Sequence, residues 1–228
     1  MHNIKPIIAT KSLCKSFFDG NECLPIINNI DFQMDLKETV AITGCSGSGK
    51  STFLNLISGL EKPSSGIVYW NGIKVLSNKS KHFTKLRGKT LGFVFQSFNL
   101  IPELDAFENV RLAQRIIGKN SAEDKEKARE VIDKVGLSHR ENHLSSQLSG
   151  GECQRIAIAR AIVNNPRVVL ADEPTGNLDQ ATAESILDLL FSLNHNEGTS
   201  LLLVTHNQSF AKECKRWLSM EHDGLVNA

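Results

Sequence analysis

The sequence predicts an α/β fold: a mostly parallel sheet covered by helices, with a small antiparallel β subdomain and an inserted helical lobe. Three observations predict it. Short apolar strands, Thr39 to Ile42, Val168 to Ala171 and Leu201 to Val204, alternate with helical patterns, as in a parallel sheet buried on both faces. In the first third of the chain, period-two alternation and a tight hairpin signal point to antiparallel strands. From Ser97 to Asn165 strand signals vanish and helical ones take over.

In chain order, the segment Ile7 to Phe17 contains the first strand. Ile30, Phe32, Met34 and Leu36 alternate with Asp31, Gln33 and Asp35, the pattern of a half-buried strand. After the strand Thr39 to Ile42, residues Phe53, Leu56, Ile57 and Leu60 recur at helical spacing, and Pro63-Ser64-Ser65-Gly66 stops that helix. Ile67 to Trp70, the turn Asn71-Gly72, and Ile73 to Val75 form a hairpin. Leu91 to Phe95 is another strand. Ala122 to Val135 is a charged helix with an apolar stripe of Ala128, Val131, Ile132 and Val135. Glu152 to Asn164 is a second helix, ended by Pro166. Beyond it, Ala183, Ile186, Leu187, Leu190 and Leu193 line one helix face, and Trp217 to Val226 reads as a hairpin turning at Asp223-Gly224. The expected division is one domain over residues 1–228, with 1–96 and 166–228 forming the α/β core and 97–165 the helical lobe.

A chain of 228 residues is long enough for a full core. Its formal net charge of +1 lacks the basic stripe that nucleic-acid binding needs, so no nucleic-acid partner is expected. Lys79-Ser80-Lys81 and the cluster Lys125 to Arg129 read as solvated faces. The five cysteines are scattered without a C-x-x-C pair, which suits reduced thiols. No signal-peptide pattern opens the sequence, and no apolar run approaches the ~20 residues of a membrane span. Work at a membrane would require another chain to hold this one there.

Three motifs carry chemistry. Gly44-Cys45-Ser46-Gly47-Ser48-Gly49-Lys50-Ser51 matches G-x-x-x-x-G-K-[ST], between a strand and a helix. Its glycines let backbone N–H groups turn inward around a phosphate, and the helix dipole points to the same spot. Lys50 reaches the β- and γ-phosphates, Ser51 places its hydroxyl on Mg²⁺, and Thr52 follows in the same turn. Second, the strand Val168 to Ala171 leads into Asp172 and Glu173. Asp172 suits Mg²⁺, and Glu173 suits the orientation and deprotonation of an attacking water. Third, in Leu148-Ser149-Gly150-Gly151-Glu152 the serine caps a helix whose first N–H groups form a second anion site.

In that order the three motifs resemble the signature set of ABC ATPases, over nearly the whole chain. The family's other marks are matched by Gln96 after the strand Leu91 to Phe95, as in the Q-loop, by Gly176-Asn177-Leu178-Asp179, as in the D-loop, and by His206 after the strand Leu201 to Thr205, as in the switch histidine. Phe17 stands where the family places an aromatic ring against adenine, a stack of ~1–3 kcal/mol that tolerates any base. The resemblance implies a P-loop NTPase (RecA-like) core and ATP with Mg²⁺ held by Ser51, Gln96 and Asp172. It implies Glu173, Gln96 and His206 as the catalytic group. It also implies a head-to-tail dimer, with ATP between the phosphate loop of one copy and Ser149, Gly150, Gly151 and Glu152 of the other, near Asp179.

Within the family, the stretches Gly136 to His143 and Ala157 to Asp179 are similar to the lipoprotein-releasing (LolD-type) ATPases; the second is shared with macrolide or peptide exporters and the FtsE-type cell-division ATPases. That similarity implies LolC/LolE-like integral membrane permeases as partners and a peripheral place on the cytoplasmic face of the inner membrane. A soluble ABC protein acting on ribosomes or DNA fits less well, because this chain has a single cassette and near-neutral charge. The apolar run Phe98, Leu100, Ile101, Leu104 and Phe107 is either the groove for a cytoplasmic helix of the permease or plain core of the helical lobe. Cys153 departs from the longer polar residue usual after the signature motif. Cys45, inside the phosphate loop, is expected to be open to alkylation that bound ATP would prevent.

Overall fold

The apolar run ahead of the glycine-rich loop forms a strand buried at all five residues, Thr39–Thr43, and the loop opens directly into the helix Lys50–Ile57. The computed structural model of the chain describes residues 5–20, 22–75, 81–221 and 224–228. In chain order the elements are β1 (Ile8–Asp19), β2 (Glu22–Met34), β3 (Thr39–Thr43), α1 (Lys50–Ile57), β4 (Ser65–Trp70), β5 (Ile73–Lys74), α2 (Lys81–Thr90), β6 (Leu91–Val94), α3 (Ala106–Ile116), α4 (Ala122–Lys134), α5 (Gly150–Ile162), β7 (Val168–Asp172), α6 (Gln180–Glu197), β8 (Ser200–Val204), α7 (Gln208–Ala211), β9 (Arg216–Glu221) and β10 (Gly224–Asn227). They form two compact units, Met1–Lys79 with Ser200–Ala228, and Ser80–Thr199.

In the first unit, an antiparallel sheet runs in the order β2-β1-β4-β5. Alternation in β2 buries Ile30, Phe32 and Met34, but Ile27 is also buried, out of phase by one residue. The irregularity lies at Asn29, whose φ of 50° marks a bulge that resets the phase. The strand ends at Met34, so Leu36 falls in the following turn and is exposed, one step beyond the real strand. The other strands of this unit are ordered β10-β9-β3-β8, with β3 parallel to both β8 and β9. Helix α1 stops at Ile57, where Ser58 caps it and Gly59 turns left-handed at φ 67°. The helix therefore ends before Pro63, Leu60 is left exposed, and Ser65 and Gly66 already belong to β4. The hairpin β4–β5 turns on Asn71 and Gly72, both at positive φ, as a type I′ turn requires. Trp70 Nε1 donates to Ile57 O at 2.7 Å and ties that hairpin to the end of α1. Strands β9 and β10 form the expected C-terminal hairpin; Asp223 of its turn, like Lys79 and Ser80, lies outside the described residues.

In the second unit, β6 pairs parallel with β7, from Leu91 opposite Val168 to Val94 opposite Ala171. Helix α5 is buried almost all round, which makes it the central helix of this unit. Every residue from Ile156 to Ala159 is fully buried. Its packing on β6 is tight enough that a Cβ on Gly92 would lie 2.4 Å from Ala161 O. Helices α3, α4, α5 and α6 start at Asp105, Ser121, Ser149 and Asp179, each accepting a hydrogen bond from a first-turn N–H. Helices α2, α3 and α7 have no counterpart in the sequence reading. Their apolar periodicity is short or interrupted by charge, as in α2, where Phe83 and Thr90 are the buried residues.

Candidate functional site

The first unit holds the phosphate loop, Phe17 and His206. Between β3 and α1 the chain turns through Gly44, Gly47 and Gly49, all at positive φ. Gly49, at φ 95°, is the N-cap of α1, and a Cβ there would press on Ile26 and Ile27 of β2 at 3.0–3.1 Å. No side chain caps this helix, so its first N–H groups face the loop. Cys45, Ser46 and Gly47 are exposed at the rim. Lys50 is buried, and its Nζ donates to Gly44 O and Cys45 O, each at 2.8 Å. The ammonium thus sits inside the loop, held by carbonyls that a phosphate can replace. Ser51 is exposed and Thr52 half-buried in the first turn of α1. Phe17 on β1 is 42% exposed, with Lys15 Nζ 4.7 Å from its ring centroid. His206 is exposed just past β8, after the buried Thr205.

The second unit holds Gln96, Asp172, Glu173, the Ser149 motif and Asp179. Asp172 is the last, half-buried residue of β7. Glu173 follows at φ 47°, a left-handed conformation uncommon for a side chain of this kind and typical of functional positions. The turn closes with Gly176 N donating to Glu173 O at 3.1 Å. Gln96 lies beside this turn: Asn177 Nδ2 donates to Gln96 O at 3.1 Å, and a Cβ on Gly176 would lie 2.9 Å from Gln96 Nε2. The loop bearing Gln96 and the loop from Gly176 to Asp179 are therefore in direct contact.

Ser149, Gly150, Gly151, Glu152 and Asp179 line one cleft, together with Arg155 and the first turn of α6. Ser149 and Glu152 form a reciprocal capping box. Glu152 Oε2 accepts from Ser149 N at 2.8 Å, and Ser149 Oγ accepts from Glu152 N at 3.3 Å. The Ser149 backbone bond, followed by the Ser149 hydroxyl and the Arg140 charge, holds the Glu152 carboxyl below the usual range. Asp179 is held low by its bonds from the Thr182 hydroxyl and N–H. Cys153 is buried, with Sγ 3.5 Å from Ser145 O, and burial pushes its thiol up. It packs inside its own unit.

Two residues of α5 escaped the sequence reading. Gln154, fully buried, donates through Nε2 to Pro174 O at 2.7 Å and Phe95 O at 3.5 Å, bracing the residues next to Glu173 and Gln96. Arg160 donates to Phe98 O and Asn99 O, two residues held at positive φ just after Gln96. The available signal was a polar side chain on the apolar faces of a central helix, since such a group must find partners there.

The five apolar residues expected to form a docking groove, Phe98, Leu100, Ile101, Leu104 and Phe107, are half-buried in the second unit. The same unit also presents an apolar groove whose walls they do not form. That groove, of about 250 Å³, is walled by Leu91, Phe93, Phe95, Leu112 and Ile116, with Arg87 and Arg160 at its edges. Burial lowers the pKa of both guanidiniums from the ordinary arginine value.

A glycine loop at a strand–helix junction, a strand that ends on Asp172 and runs into Glu173, and a serine-capped glycine pair make a nucleotide-hydrolysing cassette. The family model for ABC transporters matches residues 27–176, and the chain belongs to that family as one of its ATPases. It is 47% identical over 210 residues to the lipoprotein-releasing system ATP-binding protein LolD of Idiomarina loihiensis, covering 92% of each chain. Its fold superposes on two dimeric structures of the ATP-binding cassette MJ0796. The post-hydrolysis state bound to ADP and Pi has a TM-score of 0.88 at 40% identity; the other, described as a bacterial ABC transporter cassette, has 0.89 at 41%. Each comparison covers 96% of this chain and 97% of the other.

Proposed function

We propose that this chain is the ATPase of a membrane complex that releases lipoproteins from the inner membrane toward the outer membrane, from a peripheral position on the cytoplasmic face. The observation that carries the reading is the 47% identity over 92% of the chain to a lipoprotein-releasing ATPase. In this reading the loop from Gly44 to Ser51, with Thr52, binds the phosphates, and Phe17 stacks on adenine. Ser149, Gly150, Gly151 and Glu152 of a second copy close on the γ-phosphate, near Asp179. Glu173 takes the proton of the attacking water, and His206 holds the γ-phosphate side.

Mg²⁺ fits the donors available. Ser51, Gln96 and Asp172 can each present a hard oxygen, and in this reading the nucleotide's phosphates would complete the coordination. Bound there, the ion would offset the phosphate charge in the transition state. Closure of two copies would supply donors from both sides and exclude water from the cleft.

No helix among the described residues is long and apolar enough to cross a membrane, so the reading needs permease partners. The apolar run Phe98, Leu100, Ile101, Leu104 and Phe107, just after Gln96, is the candidate seat for a cytoplasmic helix of the permease, and the nearby groove of Leu91, Phe93 and Ile116 suits apolar side chains of such a helix. The groove is next to the strand leading into Gln96, so docking and nucleotide state would bias one another.

The test is purification of the tagged Glu173→Gln variant from membranes with ATP present. Co-purifying permeases with large extracytoplasmic domains, loaded with lipoprotein, are expected. The same permeases with a drug or peptide, or with cell-division proteins, would replace the cargo assignment; ribosomes or DNA-repair proteins without a permease would overturn the transport reading.

A further inference from the structure

The geometry points to Arg140 as a positioning residue that fixes the Ser149–Glu152 box in the form that receives the nucleotide of the opposite copy. The inference rests on the reading of that motif as a nucleotide face. One carboxylate oxygen of Glu152 closes the box on Ser149 N. The other, Oε1, accepts from Arg140 Nε at 3.0 Å. The far end of the guanidinium is also held: Nη1 lies 3.1 Å from His143 Nε2. A guanidinium only donates, so the ring nitrogen is the acceptor in this contact.

The backbone beneath is fixed as well. Arg140 N donates to Leu137 O at 2.8 Å, His143 N to Arg140 O at 2.9 Å, and Ala106 N, at the start of α3, to His143 O at 2.9 Å. A line of bonds therefore runs from α3 through His143 and Arg140 to Glu152 and Ser149. The similar box at α4, Ser121 with Asp124, has Lys119 and Arg111 as its nearby charges, whereas at α5 the arginine bonds the capping carboxylate directly.

Without Arg140, Glu152 is free to swing toward solvent, and the Ser149 N–H loses its acceptor. The Ser149 hydroxyl and the Gly150 and Gly151 N–H groups must then be ordered when ATP arrives, which weakens closure of the dimer. In the proposed reading the Ser149 motif meets the nucleotide of the opposite copy, so ATP binding by a single copy should not depend on Arg140.

The test compares Arg140→Met and Arg140→Lys, alone and in the hydrolysis-blocked Glu173→Gln background. Arg140→Met is expected to weaken ATP-driven dimerisation and to lower kcat about tenfold, with single-copy ATP affinity within twofold of the parent. Arg140→Lys should recover most of the loss, since an ammonium still reaches Glu152. In the ligand-free chain, hydrogen exchange of the Ser149 and Glu152 amides should quicken about tenfold in Arg140→Met while the rest of α5 is unchanged. Unchanged exchange at those two amides would overturn the brace. Loosened amides with unaltered dimerisation would overturn its functional part. Losses of Tm, ATP affinity and kcat in parallel, not rescued by lysine, would make Arg140 a stability residue and also overturn the inference. If the Glu173→Gln parent itself fails to dimerise with ATP, the nucleotide-face reading fails, and the exchange data still decide the brace.

Discussion

Replacing Gly176 by alanine should separate activity from stability. A Cβ at this position would lie 2.9 Å from Gln96 Nε2 and 3.4 and 3.5 Å from its Cδ and Cγ. The backbone at Gly176 is not left-handed, so alanine brings no backbone strain of its own. What must give is the tip of an exposed, flexible side chain, displaced by about half an ångström into an off-rotamer state that costs ~0.5–1.5 kcal/mol. For a chain of this size that lowers Tm by only about 1–6 °C. In the proposed function Gln96 helps hold Mg²⁺ at the reacting phosphate, where a misplacement of about 1 Å costs on the order of a hundredfold in rate. We therefore expect kcat to fall about tenfold or more, measured as phosphate release at saturating Mg²⁺-ATP and paired with a thermal melt. A kcat within twofold of the parent at the expected Tm would refute the reasoning, because the position of Gln96 would then not set the rate.

Gly92→Ala should do the reverse of Gly176→Ala. Its Cβ would meet a backbone atom, Ala161 O, at 2.4 Å, so β6 and α5 must separate; an overpacking cost of about 1–3 kcal/mol is expected as a lowered Tm in calorimetry. Alkylation at Cys45 should inhibit the ATPase and be prevented by bound ATP, whereas Cys153 and Cys214, buried and with thiols pushed up (Cys214 to about 12), should resist at neutral pH; mass mapping of the modified sites checks both statements. The Glu152 and Asp179 carboxyls are held below their ordinary range by their capping bonds. A depressed carboxyl stabilises the fold above its unfolded value and loses that contribution as pH falls through the folded one, so Tm should hold down to about pH 5 and decline below about pH 4. Glu152→Gln should blunt that decline, as a melt series against pH would show.

The parallel strands were legible because β3, β7 and β8 are unbroken apolar runs with room for only one structure. The phosphate loop was legible because its spacing fixes both a turn and a helix start. Boundaries were less so. Leu36 and Leu60 continue the apolar periods of β2 and α1, yet Lys37 and Gly59 turn left-handed next to them and end the pattern. The bulge at Asn29 left no trace in the alternation used to find β2. The groove walled by Leu91, Phe93 and Ile116 was not legible for a different reason. The open groove collects residues from α2, β6, α3 and α5, which no local window joins. Arg140 and His143 stood out in the sequence only as a subfamily pattern; their bond to the Ser149–Glu152 box needs the turn at residues 138–140 to fold back on α5.

The most direct test of the account is the behaviour of Glu173→Gln with Mg²⁺-ATP, followed by light scattering and single-turnover hydrolysis on one sample. The account predicts a stable ATP-dependent dimer, monomer with ADP or without nucleotide, and turnover reduced at least about a hundredfold, in the range for loss of a general base. Near-normal turnover would contradict Glu173 as the base, and a chain that stays monomeric with ATP would contradict closure of two copies around the nucleotide.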